Sequence, residues 1–250
     1  MSLVRQKIWT HGLTGLGRFL EEFFIDVTKP SRKLKFLRGL IYANYDYVVR
    51  FPKVKVYDFL SAYPAARGLE IMMLLHRDER WSLSDLETLY LLALISMRKA
   101  PKIFEIGSAH GETSYAMAKI NQDTHIFSLD LPVDDTVAHQ NKMRWKNTPQ
   151  EQQITQLYGD SRTFDYNPYL GQMDIVLIDG DHSYLTCKSD SAKALKLIND
   201  KGIIIWDDYN ALEVQRAVNE LLPTEKIFQL EGTGFAVLDR SLTDFPPEIS

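Results

Sequence analysis

The chain has 250 residues, 45% of them hydrophobic, 25% charged and 11% aromatic, a composition that suits a globular protein with a sizeable core and excludes a disordered or fibrous one. A formal charge of −4 and a pI near 5.9 leave no electrostatic footprint for a nucleic-acid partner. The single cysteine, Cys187, excludes an intrachain disulfide and fits a reducing compartment. No apolar run near the N-terminus leads into a small-residue cleavage site, and no stretch approaches 18 uncharged apolar residues. The expectation is a cytoplasmic protein without a membrane span.

Charge is distributed unevenly. Residues 1–55 carry about +7, which leaves about −11 on the remainder. Such asymmetry marks either a contact surface or a basic segment docked on its own acidic domain. Phe19 to Phe24 and Leu34 to Tyr42 read as helical, and Tyr45, Tyr47, Phe51, Tyr57, Phe59 and Tyr63 make the region aromatic. Residues 1–80 are therefore expected to form a helical N-terminal extension that caps a substrate pocket or makes a homodimer contact. Ser84 and Glu87 form a capping-box pattern that opens a helix reaching about Lys99.

From residue 102 onward, short apolar runs alternate with helical segments. Strands are predicted at Lys102–Ile106, Thr124–Leu129, Ile154–Tyr158, Met173–Ile178 and Gly202–Trp206. Helices are predicted at Glu112–Asn121, Cys187–Ile198 and Leu212–Leu221, and Lys226–Leu230 with Phe235–Leu238 reads as a closing hairpin. Near-continuous apolar strands between amphipathic helices imply a parallel sheet covered on both faces. The expected fold is α/β and doubly wound (Rossmann-like), with a mainly parallel seven-stranded sheet and a terminal antiparallel strand. Residues 81–250 would form this domain.

In such sheets ligands bind outside the carboxyl ends of the strands. Polar residues gather there: Glu105 within the first strand, then Asp130, Asp160, Asp179 and Asp207 just past the others. Gly107 allows a tight turn before a helix whose N-terminus favours negative groups. Gly107 and Gly111 stand four apart behind Glu105, whereas a dinucleotide loop would read G-x-G-x-x-G. Asp130, at the end of the second strand, is placed to accept the ribose hydroxyls of an adenosine, and Gly159-Asp160-Ser161 to bind its adenine. His182 is the natural general base, with an unperturbed pKa of ~6.5. Asp179, Asp207 and Asp208 come from adjacent strand ends, where three carboxylates repel unless protons or a cation such as Mg²⁺ intervene.

The form E-x-G-x-x-x-G resembles motif I of class I methyltransferases. With Phe127–Pro132, Ile154–Ser161, Ile178–Tyr184 and Gly202–Tyr209 in order, residues 102–210 resemble the bacterial class I enzymes of the methyltransferase domain 24 type. The resemblance implies S-adenosylmethionine as cofactor, held by Glu105, Gly107, Ser108, Gly111, Asp130, Leu131, Asp160, Ser161 and Asp179. The chain is also similar to macrocin-type sugar O-methyltransferases, in which an acid, a histidine three residues later and an acidic pair past the next strand serve catalysis and metal binding. That likeness implies catalytic roles for His182 and Asp179, and a divalent metal on Asp179, Asp207 and Asp208. Many relatives of the domain 24 type carry histidine at the position of Asp207, so metal dependence is not uniform among them. The leading expectation is O-methylation of a small hydroxylated molecule, a sugar or secondary metabolite. An NAD(P)-dependent oxidoreductase on the same fold, and a non-catalytic binding protein that keeps it, are the alternatives.

Overall fold

Five apolar runs build the centre of the sheet in the computed structural model, which describes residues 54–73, 83–132 and 142–242. They are β2 (Lys102–Ile106), β3 (His125–Asp130), β4 (Ile154–Tyr158), β5 (Met173–Ile178) and β6 (Ile198–Trp206), all parallel and ordered β6-β5-β2-β3-β4. Side chains alternate between the two faces of a strand, and here both faces are apolar. Ile103, Ile175, Ile203 and Ile205 enter one buried cluster, while Phe104, Val176, Ile204 and Trp206 enter the other. The register aligns Ile154, Ile126, Ile103, Ile175 and Ile203 in one row across the five strands. A one-residue slip in any strand would turn its whole set of side chains to the wrong face.

Helices cover the two faces. The first cluster takes residues of α2 (Asp85–Ser96), including Leu91, Leu92, Leu94 and Ile95, and Met117 and Ala118 of α3 (Glu112–Ile120). The second takes Cys187, Ala194 and Leu197 of α4 (Tyr184–Leu197), with Val214, Ala217 and Val218 of α5 (Leu212–Asn219). The capping box at the start of α2 is formed: Ser84 Oγ accepts from Glu87 N at 3.3 Å, and Glu87 Oε2 accepts from Ser84 N at 2.9 Å. Among the described residues no helix is long and apolar enough to cross a membrane.

Among the described residues the sheet has eight strands, where seven were expected. β7 (Ile227–Leu230) and β8 (Ala236–Asp239) form the predicted hairpin, but β8 runs antiparallel between β6 and β7 instead of at the border. The border is β1 (Lys55–Tyr57), parallel to β7. This strand comes from the segment read as helical, and three residues are too few to show a period of two. A short helix, α1 (Phe59–Ala62), follows, capped by Asp58 Oδ2 on Ser61 N at 2.9 Å. The aromatic content there is core material: Phe59 stacks on Tyr90 of α2 at 4.2 Å, and Tyr57 meets Phe228 of β7 edge-on. Contacts divide the chain into Met1–Phe51 and Pro52–Ser250, and every described residue belongs to the second unit. The helices expected at Phe19–Phe24 and Leu34–Tyr42, and the pocket cap or dimer contact assigned to them, lie outside the described residues.

Candidate active site

The register that aligns the isoleucines also aligns the strand ends. Leu129, Ile106, Ile178 and Trp206 are register partners, so the residues after them emerge side by side. The backbone closes the row, with Gly107 N donating to Leu129 O at 2.8 Å, Asp179 N to Ile106 O at 2.9 Å, and Asp207 N to Ile178 O at 3.0 Å. Above this row lies a cleft of ≈ 960 Å³. Gly107 sits at φ +96°, and a Cβ there would lie 2.1 Å from the Asp179 carbonyl oxygen. Only glycine lets the two loops approach so closely.

One half of the cleft is a set of backbone amides around Asp130. Its Oδ2 accepts from Ser108 N at 3.1 Å, Ser108 Oγ at 3.1 Å and Ala109 N at 2.7 Å, while Oδ1 accepts from Leu131 N at 2.7 Å. Leu131, an apolar side chain 60% exposed, also lines the wall. Asp160 lies beyond it, where hydrogen bonds from Arg162 hold its carboxyl at about 2.

The other half is acidic. Burial pushes Asp179 far above the usual carboxylate range, helped by the charges of Asp207 and Glu105 and by a hydrogen bond to Asp207. Burial also raises Asp207, along with the charges of Glu87 and Asp208. Asp207 thus favours the protonated form of Asp179. Asp208 turns elsewhere: its Oδ2 lies 2.8 Å from Nδ1 of His182. That bond pushes the imidazole up against the opposing effect of burial, with further help from Asp207 and Asp181, and holds the Asp208 carboxyl below its usual range. Nε2 of His182 lies 3.9 Å from Asp179 Oδ1.

Residues 104–209 match the family described as "Methyltransferase domain". The match spans 106 of the 250 residues, so over this stretch the chain is similar to that family. Among solved structures, an O-methyltransferase from Bacillus cereus in complex with SAH superposes with a TM-score of 0.51 at 18% identity, over 64% of this chain and 82% of that one. The cofactor-bound Rv0187 from MTB gives 0.52 at 18% identity, over 74% and 88%. At that identity both are similar in fold alone. No curated protein matches the sequence.

Of the residues expected to hold the methyltransferase cofactor, Gly107, Ser108, Asp130, Leu131, Asp160, Ser161 and Asp179 line the cleft. Two do not. Glu105 is buried beneath the loop, where Ser114 Oγ donates to its Oε2 and Ser128 Oγ does so at 2.5 Å, and burial pushes its carboxyl up to about 7. Gly111, at φ +76°, is the N-cap of α3, and a Cβ on it would meet the Trp145 ring at 2.7 Å. Trp206, the last residue of β6, and Tyr209, just past it, are wholly buried in the core. Unforeseen on the wall are Glu87, His110, Thr113 and Arg162. Of these, Glu87 left a trace in sequence through the capping box, and His110 by its place between Gly107 and Gly111.

The structure does not show the metal site expected on Asp179, Asp207 and Asp208. Asp208 is turned to His182, 2.8 Å from its Nδ1, and so away from the other two carboxylates. Among the described residues no group of three or more His, Cys, Asp or Glu side chains is arranged to hold an ion. No step below passes through a metal.

The Asp179–Asp207 pair makes stability depend on pH. A carboxyl whose folded pKa is raised keeps its proton after the unfolded chain has released it near ~3.9. Its contribution is therefore complete below that value and is lost as pH rises through the folded value. Asp179→Asn retains a donor for Asp207 and carries no charge. Urea melts should show wild-type stability falling from pH 5 to 9, and a flatter dependence with a gain of about 1–3 kcal/mol at pH 8 in the variant. An unchanged slope would show that the Asp179 carboxyl is not raised.

Proposed function

We propose that this cleft binds S-adenosylmethionine and methylates a hydroxyl of a small molecule, with His182 taking the proton. The observation that carries this reading is the 2.8 Å bond from Asp208 to Nδ1, which fixes the ring with its proton on Nδ1 and leaves Nε2 as the basic nitrogen beside the cleft. When bound, S-adenosylmethionine supplies a methyl carbon on a sulfonium, from which an acceptor oxygen can displace a neutral thioether. His182 Nε2 removes the hydroxyl proton as that oxygen attacks, and Asp208 stabilises the imidazolium that results. Gly107 gives the cofactor a close backbone approach, and the amides of Ser108 and Ala109 hold Asp130 in place beside it. Asp130 Oδ1, which among the described residues accepts only from Leu131 N, keeps a lone pair for a ribose hydroxyl, and the exposed Leu131 offers a face to adenine.

A volume of ≈ 960 Å³ is at the upper end of the ~300–1,000 Å³ typical of small-molecule sites, which leaves room for a nucleoside and a small acceptor together. The oxidoreductase alternative has less support, since the loop carries no G-x-G-x-x-G. Calorimetry with S-adenosylhomocysteine and with NADH separates the two. We expect the former to bind and Asp130→Ala to weaken it by roughly 10- to 100-fold, the loss of a charged hydrogen-bond acceptor. Binding of NADH alone would overturn the proposal.

A further inference from the structure

Asp208 is aimed at His182 from an unusual backbone. Its φ is +51°, a left-handed conformation that a non-glycine residue adopts at a cost and keeps only when its surroundings impose it. On its C-terminal side two bonds impose it: Ala211 N donates to Asp208 O at 2.7 Å, and Tyr209 N donates to Gly234 O at 2.8 Å. Gly234 belongs to the turn between β7 and β8, far away in sequence. That turn is itself held by α2, since Gly234 N donates to Glu87 Oε1 at 2.7 Å. Packing is tight as well, because a Cβ on Gly234 would lie 3.3 Å from Asp208 N and 3.3 Å from Glu87 Oε1.

Glu87 thus uses one oxygen for the cap of its own helix and the other for a turn 147 residues away. A capping glutamate needs only the first of these bonds. We propose that Glu87 is a positioning residue for the His182–Asp208 pair, acting through Gly234 and Tyr209 on the backbone of Asp208. The inference rests on the reading of that pair given above. It assigns Glu87 a role in the direction of the Asp208 carboxylate, and through it in which nitrogen of His182 carries the proton.

The ring itself supplies a readout that needs no acceptor substrate. With ¹⁵N-labelled histidine, the six histidines give ring signals that report the tautomer, and the His182 signal is assigned by its loss in His182→Gln. Other groups facing the ring are Asp179 and Asp181 from the loop after β5 and Asp207 from the end of β6. Glu87 adds its charge to Asp207 and not directly to the ring, so spectra are compared at one pH above the His182 titration. Wild type should show His182 with its proton on Nδ1. Glu87→Ala should move that signal toward a mixture of tautomers. Ser84→Ala, which removes the cap hydroxyl but leaves Gly234 on Glu87, should lower Tm and keep the His182 signal in place. Gly234→Ala leaves the cap intact and presses on Asp208, so it should reproduce the shift even if Glu87→Ala does not fold. An unmoved His182 signal in folded Glu87→Ala, or in Gly234→Ala, would overturn the inference. Failure to bind S-adenosylhomocysteine in the wild type would overturn the cofactor reading instead, and leaves the histidine signals to decide the role of Glu87.

Discussion

His182→Ala should bind S-adenosylhomocysteine about as tightly as the wild type and turn over roughly 10²- to 10⁴-fold more slowly, the range for loss of a positioned general base. The expectation follows from the division of the cleft. The amides and carboxylate that would hold the nucleoside belong to the ends of β2 and β3, while His182 stands on the loop after β5 and takes its orientation from the end of β6. Asp208→Asn should fall in between. It keeps the ring in place but offers Nδ1 an amide of either orientation, so the tautomer is no longer fixed. Single-turnover measurements with any acceptor found by screening would separate binding from chemistry. Turnover that survived in His182→Ala would transfer the role of base to another group.

Gly107→Ala should cost about 3 kcal/mol or more, and with it the binding of S-adenosylhomocysteine. Two effects add. A residue with a side chain pays for φ +96°, and its Cβ would lie 2.1 Å from the carbonyl oxygen of Asp179, 2.6 Å from its carbon and 2.8 Å from Gly180 Cα. All three atoms are backbone, so no rotamer change relieves the clash, and the loss is a large part of the ~5–15 kcal/mol typical of a domain. Gly180→Ala is the control. Its Cβ would meet nothing closer than Ile106 at 3.5 Å, so its urea midpoint should stay within about 1 kcal/mol of wild type. Similar losses in the two variants would show that the loop as a whole, and not the contact at Gly107, sets the cost.

Much of this arrangement is legible in the sequence because it depends on local pattern. β4 and β5 match expectation to the residue, since each apolar run is bounded by residues that end strands. β6 is different. It begins at Ile198, four residues before the predicted start, because it runs through the polar Asn199, Asp200 and Lys201, which carry no apolar signal. The row of strand-end acids was legible too, as a parallel sheet brings such residues to one edge whatever their spacing. What sequence does not carry is the direction of each carboxylate. Glu105 precedes a glycine as a cofactor ligand would, yet Ser114 and Ser128, nine and 23 residues on, draw it under the loop. Asp208 follows Asp207 as a second metal ligand would, yet a left-handed backbone turns it to His182.

The position of β8 has a consequence for how the chain is made. The last strand among the described residues lies inside the sheet, with β6 on one side and β7 on the other. Until residues 236–239 leave the ribosome, β6 and β7 each present an unpaired edge rich in isoleucine and phenylalanine. Such edges recruit strands from other chains. Nascent or truncated forms that lack β8 are therefore the species on which chaperones would act, and recombinant yield should depend on the final hairpin more than on any other element of similar size.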